Sequence, residues 1–267
     1  MRLLTSNVWG DYFGNPVEGR DALLGGVIKK YDPDIIGLQE MTGSWYRSAL
    51  TGMLEPEYAF IGTGTEGLNN YTPLAVKKDH SVLAFGFELL TDTPDETKSI
   101  TWAVLERACS GRFAVCCTHF WWPEDDEAEK IRYINARQLS GLMNRLNGQY
   151  GCPVFAFGDM NCFTSSKVFD IYRASGISDM RELAPIRSDA CSFHSEPVPD
   201  EEGRYRGIRS AEDHTRSLDH MVCLGEGFTV EKYLVIEDQD ALDATDHCPV
   251  LAEVRMTQND LVCRTEN

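Results

Sequence analysis

Eight polar residues stand at the ends of short apolar runs. Asn7 follows "LLTS", Glu40 follows "DIIGLQ" and His119 closes "RFAVCCTH". Asp159 and Asn161 lie in "GDMN" behind "CPVFAF", Asp219 in "SLDHMV", and Asp246 with His247 in "TDHCPV". One such residue alone suits a turn, because Asp, Asn and Gly are turn formers. The set as a whole contains only carboxylates, amides and imidazoles, and that composition points to chemistry. Carboxylate and amide oxygens are hard ligands that match Mg2+ or Mn2+ rather than zinc. Mg2+ keeps several of its waters and needs few protein ligands. A histidine beside a carboxylate has its tautomer fixed and its charged form favoured. Phosphoryl transfer, which depends chiefly on positioning and charge stabilisation, suits these residue types.

The elements that must position them are mixed. "RLLTSNV", "DIIGLQE", "EYAFIG", "PLAVKK", "VLAFGFELL", "SITWAVLER", "RFAVCCTH", "PVFAFGDMN", "SLDHMVCL", "FTVEKYLVI" and "CPVLAEV" read as strands. "GRDALLGGVIKKYD" carries apolar residues at helical spacing and should stop before Pro33, which disfavours helical geometry at Asp32. "GSWYRSALTGML", "DEAEKIRYINARQLSGLMNRL" and "SSKVFDIYRAS" also read as helices, the last capped by Ser165 or Ser166. "CSGR" (109–112) predicts a hairpin turn and residues 184–216 a loop-rich region. No linker or repeat interrupts the chain. The pattern predicts an α/β fold of one domain over 1–267, two sheets face to face with helices outside.

The blocks "TSNVWG", "DIIGLQE", "CTHFWW", "GDMN", "SLDHMV" and "TDHCPV" resemble, in order and over residues 5 to 250, the signatures of the endonuclease/exonuclease/phosphatase superfamily. "YTPLAVKKD" and "ELLTDTPDE" resemble segments of bacterial members of undetermined substrate. The resemblance implies a four-layer α/β sandwich, its two sheets mixed but mainly antiparallel, with the site at the strand ends. It implies a Mg2+-dependent (or Mn2+-dependent) hydrolase of phosphate esters that works by in-line attack of water. Glu40 would be the principal metal carboxylate, with Asn7 beside it and Asp246 nearby. Asp159 and Asn161 would face the water and the phosphate. His247 would touch the scissile phosphate with Asp219 fixing its ring, and His119 would contact a phosphate oxygen or the leaving group. The proton of the attacking water falls to Asp159 or to His247; we expect Asp159 against the water and His247 as an electrostatic stabiliser. The chain departs from the family at Asn70, where many members carry an acid that orients the histidine equivalent to His119. An amide accepts a hydrogen bond but does not stabilise an imidazolium as a carboxylate does.

Other features bound the reading. The formal charge of −17 over 267 residues disfavours wrapping of long nucleic acid, so the expected partner is a small phosphoester or a short strand. A nuclease and a non-catalytic phosphate-binding module are the rival readings. Trp121 and Trp122 are candidate walls for the leaving group, Arg204 and Arg206 a candidate phosphate clamp, and His194 a candidate entrant from the loop side. His80 reads as a surface turn residue, and His220 as a core residue facing away from Asp219. Nine cysteines without a C-x-x-C read as reduced thiols. "GTGTEG" (62–67) lacks the strand–turn–helix context of a dinucleotide site and reads as a turn. The polar start of the chain and the lack of a long apolar run predict a cytosolic protein with no membrane span. No protein partner is indicated.

Overall fold

The computed structural model describes residues 1–62, 70–107, 111–194, 201 and 216–257, Phe13 by its backbone only. The strands are β1 (Arg2–Asn7), β2 (Ile35–Gln39), β3 (Tyr58–Ile61), β4 (Leu74–Lys77), β5 (Ser81–Leu89), β6 (Ser99–Arg107) and β7 (Gly111–His119). They continue as β8 (Val154–Asp159), β9 (Ser178–Asp179), β10 (Ile186–Arg187), β11 (Asp219–Leu224), β12 (Phe228–Val235) and β13 (Val250–Met256). The helices are α1 (Arg20–Tyr31), α2 (Ala49–Leu54), α3 (Asp126–Tyr150), α4 (Lys167–Ala174), α5 (Met180–Leu183) and α6 (Gln239–Ala244).

Local chemistry sets the helix ends. α1 stops where Asp32 turns left-handed (φ 47°) before Pro33, its N–H still bonded to the Ile28 carbonyl. The Asp125 carboxylate accepts the Ala128 N–H to start α3, which ends at Gly151 with φ 60°. Ser166 does the same for α4 through the Val168 N–H. "GSWYRSALTGML" is not one helix: a short 3-10 turn, Trp45–Arg47, and α2 are separated by Ser48 in an extended conformation.

The strands form one sheet in the order β10-β12-β13-β1-β2-β4-β3 and another in the order β5-β6-β7-β8-β11-β9. Pairing is antiparallel except for β1 with β2, β7 with β8 and β10 with β12. Successive side chains of a strand enter different cores, as the two-residue period requires. Leu3, Ile35, Phe155 and Phe157 fill the space between the sheets. Leu4 and Ile36 pack towards α1 and α2, and Val154 and Ala156 towards α3 and α4. Both faces of the central strands are therefore covered, which explains their continuous apolar runs.

Register then brings the polar strand ends to one edge. Asn7 lies beside Gln39, the residue before Glu40. His119 lies beside Asp159 across the parallel β7–β8 pair, and Asp219 opposite Asp159 across the antiparallel β8–β11 pair. Gly158 is not a bend, as a glycine ahead of a turn would be. It sits within β8, where a Cβ would lie 1.9 Å from the Thr118 carbonyl oxygen.

Candidate active site

The strand ends surround a cavity of about 690 Å³ lined by Glu40, Lys98, His119, Asp159, Asn161, Asp246 and His247, with Trp9, Tyr12, Trp122, Phe193 and Arg216 on its walls. Three of its residues, Trp9 (φ 53°), Glu40 (φ 62°) and Asn161 (φ 47°), hold the left-handed conformation that non-glycine residues avoid. Glu40 and Asn161 do so just beyond a strand, where the twist of the chain turns the side chain into the cavity. Strain of this kind persists only where surrounding contacts impose it.

Asn7 binds the two sheets at their mouth. Its Nδ2 donates to Glu40 Oε1 at 3.2 Å and to Asp159 Oδ2 at 3.1 Å, while its Oδ1 accepts the Trp9 N–H at 3.0 Å. Glu40 Oε2 accepts the Gly10 N–H at 2.7 Å. Asp159 Oδ1 accepts the Asn161 N–H at 2.9 Å, and Oδ2 lies 3.4 Å from His119 Nε2. His247 Nδ1 meets Asp219 Oδ2 at 2.7 Å, which leaves Nε2 3.9 Å from Asp159 and 4.0 Å from Asp246. The rings of Phe193 and His247 meet in a T-shaped arrangement at 5.0 Å between centroids.

Electrostatics divide these groups into kinds. Burial pushes the Glu40 carboxyl up, but His119, Lys98 and the Gly10 and Asn7 hydrogen bonds outweigh it and hold the group below its usual value. Asp159 is likewise raised by burial and more strongly lowered by His247 and His119, so it stays ionised. Burial disfavours the His247 imidazolium, yet Asp219, Asp246 and Asp159 reverse the effect and keep it charged well above the usual imidazole range. Burial pushes Asp246 up to about 7; His247 opposes this, and Glu40, Asp159 and Asp219 add to it.

The model of the Endonuclease/Exonuclease/phosphatase family matches residues 4–247. The chain belongs to that family. Its members hydrolyse phosphoester bonds, nucleases and phosphatases among them. Exodeoxyribonuclease III of Haemophilus influenzae is 28% identical over 225 residues, 82% of this chain and 76% of that protein. A mannosyl-6-phosphatase from Bacteroides thetaiotaomicron superposes with a TM-score of 0.75 at 20% identity, covering 96% of this chain and 100% of the other. The D. rerio TDP2 complexed with single strand DNA product gives a TM-score of 0.70 at 16% identity, over 96% and 99% of the two chains. These structural likenesses establish the four-layer fold.

Within that family frame, the sequence-derived set divides. Asn7, Glu40, His119, Asp159, Asn161, Asp219, Asp246 and His247 converge, and Trp122 lines the cavity. Trp121 does not: its backbone is tied to Asn135 and Arg132 at the start of α3, outside the cavity wall. His194 is buried beside the site, where its N–H bonds the Asp246 carbonyl at 3.1 Å, and is not among the lining residues. Arg204 and Arg206, the "CSGR" turn at 109–110 and most of "GTGTEG" lie outside the described residues. His80 is not at the surface; it is buried with Asp79 at 2.8 Å and its ring edge-on to Phe113. His220 is in the core, its Nε2 2.7 Å from the Cys162 carbonyl. The seven described cysteines are free thiols, and no helix among the described residues is long and apolar enough to cross a membrane.

Asn70 does not orient His119. Its side chain donates to the Gly62 carbonyl at 3.0 Å and Thr101 Oγ1 at 2.8 Å, and accepts the Thr72 N–H at 2.8 Å. Lys98 stands against His119 instead, its Nζ 2.9 Å from Nε2 and 3.1 Å from Nδ1. Burial pulls this ammonium below its usual value against the charges of Glu40, Asp159 and Asp95. A second unforeseen residue is Arg20, which is fully buried and donates to the carbonyls of Val8, Trp9, Pro16 and Ala244 at 2.7–3.0 Å. It thereby ties the loop after Asn7 to the segment that enters Asp246.

The donor set fits a divalent cation. Glu40, Asp159, Asp219 and Asp246 converge, Asp246 is driven up by burial and then by its like-charged neighbours, and buried Asp219 Oδ1 has no hydrogen-bond partner among the described residues. Asp159, Asp219 and His247 offer ligand atoms within 4.8 Å of one another. The 2.7 Å His247–Asp219 contact is itself a hydrogen bond and is satisfied without an ion. Glu40 and Asp246 line the same cavity and repel one another, a second pair of carboxylates beside that group.

Proposed function

We propose that the protein is a Mg2+-dependent hydrolase of phosphate esters that uses water as the direct nucleophile. The reading rests above all on one observation: a cavity floor where Glu40, Asp159 and Asp246 face His119 and His247. Glu40 and Asp246 would hold the ion, with the Asn7 amide beside them once it turns its oxygen over. The bound ion would polarise a phosphate oxygen and concentrate positive charge at the floor. Asp159, ionised and fixed by Asn7, Asn161 and His119, accepts a hydrogen bond from the attacking water and sets its line of approach. His247, kept cationic by Asp219, presents Nε2 to the phosphoryl oxygens and stabilises charge as the P–O bond breaks. Its charge makes it a poor base, so orientation of the water falls to Asp159. Mn2+ would serve the same hard donors.

The aromatic walls and the acidic surface favour a small phosphoester, or a short strand, over long duplex DNA. The sequence relative named for exodeoxyribonuclease activity supports a nuclease as the second reading. The test is a panel of sugar phosphates, aryl phosphates, phosphodiesters, RNA and plasmid DNA with Mg2+ or Mn2+. Release of phosphate or alcohol, abolished by EDTA and by Glu40→Ala, is expected. No turnover of any substrate, or undiminished turnover by Glu40→Ala, would overturn the reading.

A further inference from the structure

Among the described residues, Lys98 has no carboxylate at ion-pair distance. It is 5% exposed, and among the described residues its hydrogen-bond partner is the His119 ring. The other buried cations of the site region are satisfied: Arg20 by four backbone carbonyls, His247 by Asp219. The ring lies on one side of the Lys98 ammonium, which carries three donors. Lys98 therefore keeps N–H groups for the cavity that it lines. Burying an ammonium without a close anion costs several kcal/mol, which is consistent with an anionic ligand that completes the pair.

The position of that charge bears on the shape of the anion. Lys98 and His119 line one side of the cavity: both are buried, at the paired ends of β6 and β7, where Ser99, Thr101 and Thr118 are also buried. A phosphomonoester presents three non-bridging oxygens and two negative charges, so one oxygen can meet Lys98 while others face the carboxylate-held cation and His247. A phosphodiester has two such oxygens and one charge. Its second ester arm would have to point at a buried ammonium or displace another oxygen contact. Building on the hydrolase reading above, we propose that Lys98 is a phosphate-binding residue that makes the site selective for phosphomonoesters over phosphodiesters.

Two measurements test this with Mg2+ present, on the wild type, Lys98→Met and Lys98→Arg. In calorimetry, inorganic phosphate should bind the wild type at least tenfold more tightly than dimethyl phosphate. Lys98→Met should lose that preference and Lys98→Arg keep most of it. In kinetics, Lys98→Met should lower kcat/KM for p-nitrophenyl phosphate about 100-fold and for bis-p-nitrophenyl phosphate less than threefold. Its melting temperature should not fall, since a methionine removes a buried charge. Equal losses on both esters, or unchanged phosphate binding by Lys98→Met, would overturn the assignment while leaving the hydrolase reading intact. Lys98-dependent phosphate preference in a protein that turns over no substrate of the full panel would do the reverse, supporting the anion site and removing the hydrolase.

Discussion

At the scale of single residues, Asp219 and Asp246 both favour the charged form of His247 but are held by different partners. Asp219 is 2.7 Å from His247 Nδ1 and raises the affinity of the ring for its proton. A raised value means the imidazolium is present at every pH below it and is lost only as pH climbs through it. In the metal-free protein, NMR of the His247 ring should show it protonated throughout the neutral range. Asp219→Asn should bring that titration down towards the usual histidine value, and an unmoved titration would mean that Asp246 and Asp159 alone hold the charge. Asp246 is the carboxyl that its neighbours resist, pushed up to about 7 by burial and by like charge. Replacing it by asparagine removes the repulsion. Without metal, Asp246→Asn should be more stable than the wild type by about 1 kcal/mol, seen as a rise of about 2–4 °C in Tm for a chain of this size. The same variant should lose most of the further rise that Mg2+ gives the wild type. A lower Tm without metal would show that Asp246 is a structural hydrogen-bonding group rather than a waiting ligand.

At the scale of elements, the site depends on how closely β7 and β8 approach. Gly158 is the residue that permits it, since a methyl there would meet the Thr118 carbonyl at 1.9 Å, a backbone atom that cannot step aside. Gly158→Ala should cost about 3 kcal/mol or more in urea unfolding, the upper range for overpacking, and should displace Asp159 relative to His119. A loss under 1 kcal/mol would mean that the two strands separate readily. The same elements show what the sequence can disclose. Asn7, Glu40, His119 and Asp159 are legible because each ends or follows a continuous apolar run, and parallel register then aligns them, while His247 is legible just ahead of the run that forms β13. Lys98 is not legible in that way. It closes the polar stretch "TPDETK", which reads as a solvated loop, although the pairing of Ile100 with Thr118 puts the start of β6 beside His119. Arg20 is hidden for a related reason: it opens α1 behind Gly19 like a surface residue, and its carbonyl partners include one 224 positions away. Trp121 misled because adjacent residues leaving a strand point in different directions, so only Trp122 reaches the cavity. Local pattern reveals which strand ends are polar; contacts across the two sheets decide which buried charges join them.

At the scale of the molecule, the local and global fields have opposite sign. The chain carries 42 acidic against 25 basic residues, a formal charge of −17, while Lys98, His247 and a bound divalent ion would present positive charge at the cavity floor. Asp95 and Glu124 are on the cavity wall, and Arg216 there is already paired with Glu124. A phosphorylated substrate must therefore cross a repulsive outer field before it reaches an attractive one. Salt separates the two, because the screening length falls from about 30 Å at 0.01 M to about 8 Å at 0.15 M. The long-range repulsion is screened over that interval, and the contacts among the buried groups of the floor much less. For a phosphomonoester at saturating Mg2+, kcat/KM should rise about two- to fivefold between 10 and 150 mM NaCl, with the change in KM and kcat nearly constant. A protein whose groove tracks a nucleic-acid backbone shows the reverse, losing affinity steeply over the same range because the release of counterions gains less as bulk salt rises. Stopped assays at four or five salt concentrations would decide between the two. A fall in kcat/KM with salt would place a basic surface at the mouth of the cavity and return the nuclease reading to the front.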